Sequence, residues 1–222
     1  MDLRIIDFAT SDYKDIWEEQ KSLFQMMVDF KISHKEITEE YLLIGEHPSV
    51  YTLGFHGNAD NLLVDEEALR QMGAECIRIE RGGDITYHGP GQMICYPILD
   101  LENHCLGIKG YMELLEDCII DLLAEYSIKG EKIEDAVGIW IGKGSAKERK
   151  ICAMGVKCTR FVTMHGLALN VTTDMEMFNA INPCGFRDKG VTSMQRELGY
   201  SPAIEEVKMK FIEIFRGKLG FA

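Results

Sequence analysis

Long apolar runs, prolines, paired cysteines and basic residues are all scarce in this 222-residue chain, and each scarcity excludes something. No apolar stretch approaches the ~18 residues that a spanning helix needs, so no integral membrane helix is expected. Five prolines and no low-complexity tract speak against disorder. The seven cysteines (76, 95, 105, 118, 152, 158 and 184) are odd in number and form no CxxC pair. That spacing fits neither a disulfide framework nor a zinc ribbon. Residues 1–9 carry Asp2 and Asp7 and no small-residue cleavage site, so no secretory leader is expected and the setting is cytoplasmic. Lys and Arg number 24 against 36 acids, and the net charge of −12 opposes nonspecific binding to nucleic acid or anionic membrane. There is neither a Gly-Lys-Ser/Thr phosphate loop nor a G-x-G-x-x-G opening a helix.

What is present reads as a globular chain. With 46% apolar residues, one domain spanning 1–222 is expected, the other division being a small C-terminal subdomain from about Asp174. Residues 3–8 read as a strand and 12–28 as a helix capped by Ser11, with Ile16, Leu23 and Met27 among its apolar positions. Strands are expected at 41–44, 49–53, 76–79 and 93–99, and a short helix at 65–72 closed by Gly73. The clearest helix is 111–126, where Leu114, Leu115, Cys118, Ile119, Leu122 and Leu123 form one stripe. Strands follow at 137–141, 151–156 and 165–171, and a closing helix at 204–215. Strands outnumber helices, and several connections are too short for a crossover. The expected class is therefore α+β, a mixed and largely antiparallel sheet flanked by helices.

Four segments stand apart. RGGDITYHGPGQ (81–92) combines Gly82, Gly83, Gly89 and Gly91 with Arg81, Thr86, Tyr87, His88 and Gln92. Glycines let a ligand approach the backbone, so this segment reads as a ligand-binding loop. KICAMG (150–155) opens an apolar run with Lys150, either a lysine at a pocket mouth or a solvated strand end. HGLALNV (165–171) contains His165, which taken alone reads as a satisfied core histidine, beside Gly166. Most cysteines sit in apolar runs, as Cys95 does in MICYPIL, and there act as small hydrophobes. Cys184 differs, because NPCG (182–185) places it in a turn between Pro183 and Gly185. With Lys150 or a histidine nearby it has the parts of a thiolate nucleophile.

These four motifs in this order, extended by HPSVYTLG (47–54) and DAVGIWIG (135–142), resemble the lipoyl(octanoyl) transferases. The resemblance implies a fold similar to the biotin and lipoate protein ligase catalytic domains. It implies transfer of an octanoyl group from octanoyl-acyl carrier protein to a lysine of lipoyl domains, in 2-oxoacid dehydrogenases and the glycine cleavage H protein. By position, Cys184 corresponds to the acyl-accepting cysteine and Lys150 to the lysine that lowers its pKa. The acyl-binding stretches correspond to Arg81, Gly82, Gly83, Asp84, Ile85, Thr86, Tyr87 and His88, to Ala153, Met154 and Gly155, and to Gly166, Leu167 and Ala168. Neither metal nor cofactor is implied, and a monomer is expected. GKGSAKERKI (142–151) is longer than the family's usual loop, so Lys143 and Lys147 compete with Lys150, which alone directly precedes the I-x-x-x-G pattern. Two other readings stand beside it: an ATP-dependent ligase on the same fold, and a thiol or metal module using His88, His165 and Cys184. Those three ligands are scattered singly, which suits a metal poorly. Residues 142–160 carry Lys143, Lys147, Arg149, Lys150, Lys157 and Arg160 against Glu148 alone, and read either as a docking segment for an acidic carrier or as a solvated loop.

Overall fold

Two sheets form where one is expected. The structure, a computed structural model, describes residues 2–182 and 190–221; the NPCG turn from 183 onward, with Cys184, lies outside the described residues. The chain begins β1 (Asp2–Thr10), α1 (Tyr13–Ile32), β2 (Glu39–Glu46), β3 (Val50–Leu53), α2 (Glu66–Gln71), β4 (Glu75–Arg78), β5 (Ile85–His88) and β6 (Gln92–Ile98). It continues α3 (Ile108–Glu125), β7 (Glu131–Ile133), β8 (Ala136–Ile141), β9 (Arg149–Thr159), β10 (Val162–Asn170), β11 (Gly190–Val191), α4 (Met194–Leu198) and α5 (Ile204–Leu219).

The large sheet has the order β1-β2-β6-β10-β9-β8-β7, with β11 added beside β9. Pairs β1–β2 and β9–β11 are parallel and the others antiparallel, which is the mixed, largely antiparallel sheet expected. The small sheet, β4-β3-β5, takes strands from 49–53 and 76–79 out of the large one. Its third member lies inside the glycine-rich run, so residues 85–88 are a strand and not loop.

Successive residues of a strand point to opposite faces, and both faces of the large sheet are covered. Leu42, Ile44, Met93 and Cys95 pack with Leu115, Ile119, Leu122, Phe211 and Phe215 under α3 and α5. Their neighbours Leu43, Ile94 and Tyr96 pack with Ile16, Phe24 and Met27 under α1. Tyr51, Leu53, Ile85 and Tyr87 of the small sheet share a third cluster with Met175, Phe178 and Ile181.

Helix ends depart from expectation by short steps. Asp12 caps α1, its carboxylate accepting from the Lys14 N–H, while the Ser11 hydroxyl donates to the Phe8 carbonyl. Helix α3 starts a turn early, at Ile108 behind Gly107. Gly73 follows α2 with φ +66°, as a C′ glycine should. No helix among the described residues is long and apolar enough to cross a membrane.

Candidate active site

Strand register turns motifs that are distant in sequence into neighbours. In the β9–β10 ladder Ala153 faces Ala168, Met154 faces Leu167, and Gly155 faces Gly166. These six residues line a cavity of about 400 Å³, together with Arg81, Gly83, Asp84, Ile85, Thr86, His88 and Lys150. That volume suits a small acyl group and the arm that carries it, since small-molecule pockets span roughly 300–1,000 Å³.

The wall beside β9 is main chain against main chain. The Gly82 N–H donates to the Val156 carbonyl at 3.1 Å. A Cβ at Gly155 would meet Gly82 O at 2.5 Å, and one at Gly166 would meet Cys95 O at 2.2 Å. Glycine is required at both positions by close approach, whatever the backbone angles. Gly82 therefore acts as a stitch and does not line the cavity. Tyr87 does not line it either: on the other side of β5 from Thr86 and His88, its ring packs against Tyr51 and Phe178.

Polar groups over the cavity are tied to one another. Arg81, 8% exposed, donates from Nη2 to the Thr52 carbonyl at 2.7 Å and from Nη1 to the Gly82 carbonyl at 3.1 Å. Gln92 Nε2 donates to the Tyr87 carbonyl and to Asn170 Oδ1, so its Oε1 accepts from His88 Nδ1 at 2.9 Å. Asn170 Nδ2 in turn donates to the Thr192 carbonyl at 3.0 Å. Asp84 accepts from the Asn58 N–H and from the Asn61 side chain, which orders the approach to β5.

Burial keeps the site histidines neutral. It lowers His47 to about 4 and His88 to about 3, the latter helped by His47 and the Arg81 cation. His165 is lowered to about 3, again by burial first and then by Arg81 and Lys157. His165 is not the satisfied core histidine expected: neither ring nitrogen has a hydrogen-bond partner.

Of the three competing lysines, only Lys150 lines the cavity. Its Nζ donates to the Val137 carbonyl at 2.9 Å and stands 4.7 Å from the centre of the Trp140 ring, across the β8–β9 ladder. Lys143 and Lys147 sit exposed on the loop before β9, Lys143 donating to the Lys132 carbonyl. Arg149, one of the basic residues of the 142–160 segment, is held by Glu197, donating from Nε at 2.7 Å and from Nη2 at 2.5 Å. Strand β11 joins beside Lys150: Val191 is its register partner and also lines the cavity, as does Phe178.

No cysteine among the described residues lines the cavity. Cys95, Cys118 and Cys152 are buried, and burial pushes their thiols up, in Cys152 against the lowering effect of Lys150. Cys105 departs from the buried pattern; it is exposed, at a turn with φ +55°. Among the described residues no group of three His, Cys, Asp or Glu side chains could hold a metal ion.

Several lining residues carried little signal in the sequence. Tyr13 of α1 stacks on His88 with ring centres 5.9 Å apart, and nothing near residue 13 marks it. Tyr96 donates to His47 Nε2 at 3.0 Å, because the neutral ring's Nδ1 donates to the Ser11 carbonyl, and its hydroxyl within MICYPIL was the available clue.

By fold the chain stands with the lipoate and biotin protein ligases. A bi-partite lipoate protein ligase from Thermoplasma acidophilum superposes with TM-score 0.72 at 18% identity, covering 99% of this chain and 84% of that one. The biotin protein ligase of Aquifex aeolicus gives 0.54 at 11% identity, over 99% of this chain and 70% of that one. The chain belongs to the lipoyl protein ligase A/B catalytic domain family, whose sequence model matches residues 12–216. A curated octanoyltransferase of Flavobacterium johnsoniae is 50% identical over 217 residues, 95% of this chain and 94% of that protein. One of Bacteroides fragilis is 48% identical over 202 residues, 91% of each.

Proposed function

We propose that this chain is an octanoyltransferase of lipoate biosynthesis. It takes the octanoyl group from octanoyl-acyl carrier protein onto Cys184 and passes it to a lysine of a lipoyl domain, acting in the cytoplasm. The observation that carries the reading is Lys150 at a cavity walled by small and apolar residues, in a chain half identical to octanoyltransferases. Phe178 and Val191, which flank the segment holding Cys184, both line that cavity.

A free thiol with pKa ~8.5 is only a few per cent thiolate at neutral pH. The Lys150 ammonium stabilises the thiolate form of Cys184. The thiolate attacks the octanoyl carbonyl; a new C–S bond forms, the carrier's C–S bond breaks, and the leaving thiolate takes a proton from Lys150. The acceptor lysine amine then attacks the Cys184 thioester. A C–N bond forms, the cysteine sulfur leaves as thiolate, and the amine proton passes to the neutral Lys150. Arg81, Thr86 and His88 shape the cavity around the chain, while Ala153, Gly155, Gly166 and Ala168 keep its bore narrow. Each buried methylene contributes about 0.8 kcal/mol to holding the chain.

Intact mass spectrometry of protein incubated with octanoyl-acyl carrier protein tests this. The expected result is a gain of one octanoyl group mapping to Cys184, discharged by an unmodified lipoyl domain without ATP. An ATP requirement, or acylation elsewhere, overturns it.

A further inference from the structure

Lys150 lines the cavity, but two residues that do not line it hold its ammonium. The β8–β9 ladder slips by one residue: Ile139 faces Cys152, and Trp140 then faces Lys150, leaving Ile151 without an opposite. In even register Trp140 would face Ile151. The bulge sets the lysine there instead, on the same face of the sheet as the indole. Lys150 Nζ stands 4.7 Å from the centre of the buried Trp140 ring, whose Nε1–H donates to the Ala136 carbonyl at 2.8 Å.

One residue further on, the Val137–Gly138 peptide is held at both ends. Its carbonyl accepts from Lys150 Nζ at 2.9 Å, and its N–H donates to Glu116 Oε1 of α3 at 3.2 Å. Gly138 has φ +110°, and a Cβ there would meet Cys152 O at 2.4 Å, so this peptide orientation needs glycine. A carboxylate on the N–H polarises the peptide and makes its carbonyl a stronger acceptor for a cation. An indole face likewise attracts an ammonium more than a neutral amine. Both contacts favour the charged form of Lys150 and fix where that charge sits. The cavity lining also carries the charges of Arg81, Asp84 and Asp135, while Lys132 of β7 meets Glu116 at 3.7 Å and Asp117 at 2.6 Å.

We infer that Trp140 and Glu116 are positioning residues for Lys150: the indole face and the carboxylate-held peptide keep its ammonium at the cavity wall. What Lys150 does beside Cys184 rests on the acyl-transfer reading above, and two measurements separate the two.

The first follows Lys150 itself. Acetic anhydride labelling from pH 7 upward, read at each lysine by peptide mass spectrometry, gives the midpoint at which Lys150 loses its proton, with the exposed Lys147 as reference. Trp140→Leu should lower that midpoint by about half a pH unit. Trp140→Phe, which keeps an aromatic face, should restore part of it. Glu116→Gln keeps an acceptor for the Gly138 N–H but loses the charge, so it should shift the midpoint the same way by less; it carries the test if Trp140→Leu does not fold. Faster labelling at every pH with an unmoved midpoint would mean that the substitutions only uncover the lysine, and the inference fails.

The second is a cycle with Lys150→Met, read as iodoacetamide alkylation of Cys184 and as kcat for octanoyl transfer. Alone, Trp140→Leu should cut both by about twofold to fivefold and leave KM for the donor unchanged. In the Lys150→Met background it should change neither further. Equal losses in both backgrounds overturn the inference, because Trp140 would then act without the lysine. If Lys150→Met leaves alkylation and transfer intact while the labelling midpoint still moves, the part given to Lys150 in acyl transfer falls and its positioning stands.

Discussion

Replacing Gly155 by alanine isolates the contact between two main chains that closes the cavity wall. Gly155 has no positive φ, so alanine's backbone is permitted there and space alone decides the outcome. The new Cβ would lie 2.5 Å from Gly82 O and 3.3 Å from Arg81 Cδ. The first is roughly 1 Å closer than atoms pack. The loop cannot retreat freely, because the Gly82 N–H is held by the Val156 carbonyl at 3.1 Å, one residue away. Overpacking of this kind costs about 1–3 kcal/mol. For a chain of 222 residues each kcal/mol moves Tm by about 2–4 °C, so Gly155→Ala should melt about 2–12 °C lower. Displacement of Arg81 should also raise KM for the octanoyl donor. Gly217→Ala is the internal control: it lies on α5, its Cβ would meet nothing within 4 Å, and it should gain about 0.5–1 kcal/mol. Melts followed by circular dichroism, with KM measured on the same preparations, decide the matter. A Gly155→Ala protein with wild-type Tm and KM refutes the argument.

Cys184→Ala should abolish acyl-enzyme formation, whereas Cys152→Ala and Cys158→Ala should transfer at near wild-type rates; turnover by the Cys184 variant would remove it from the reaction. Lys150→Met should slow iodoacetamide alkylation of Cys184 at neutral pH, and Lys143→Met and Lys147→Met should not, a comparison read directly by mass spectrometry. Because His47 and His88 stay neutral to about 4 and about 3 when folded, the unfolded chain takes up protons first as pH falls below 6.5, and stability should drop by up to ~1.4 kcal/mol per pH unit for each. Urea titrations at pH 7 and pH 5 should show that slope reduced by one histidine's share in His88→Asn; an unchanged slope contradicts the assigned burial. Reversal of Lys143 and Lys147 to Glu should raise KM for octanoyl-acyl carrier protein, most at low salt, and leave a small octanoyl thioester unaffected. Equal losses with both donors would mean that the loop shapes the site and does not dock the carrier.

What the sequence made legible follows from periodicity and from glycine. The stripe from Leu114 to Leu123 and the apolar runs around Leu42, Ile94 and Leu169 announced elements that burial on a sheet then locked in place. Strand β5 stayed hidden because its pairing partner, β3, lies more than thirty residues upstream, and its polar residues between glycines mimic a loop. Motif residues such as Ala153 and Ala168 were recognisable singly, but their opposition is a matter of register, which no local pattern records. Lys150 stood out among three lysines by the I-x-x-x-G pattern that follows it, whereas its place across from Trp140 is again a matter of register. Tyr13 was invisible for a further reason: it reaches the cavity from a helix whose pattern only asks for something apolar.

The hydrogen bonds running from His88 through Gln92 and Asn170 to Thr192 all point one way, each carboxamide receiving at its oxygen and giving from its nitrogen. Such a chain has an arrow, and no member can turn over without the others. Its last step reaches the residue whose N–H holds the Lys150 carbonyl at 2.9 Å, so the histidine end and the lysine end of the cavity are set by one shared decision. Substitutions at 92 and 170 should therefore combine non-additively.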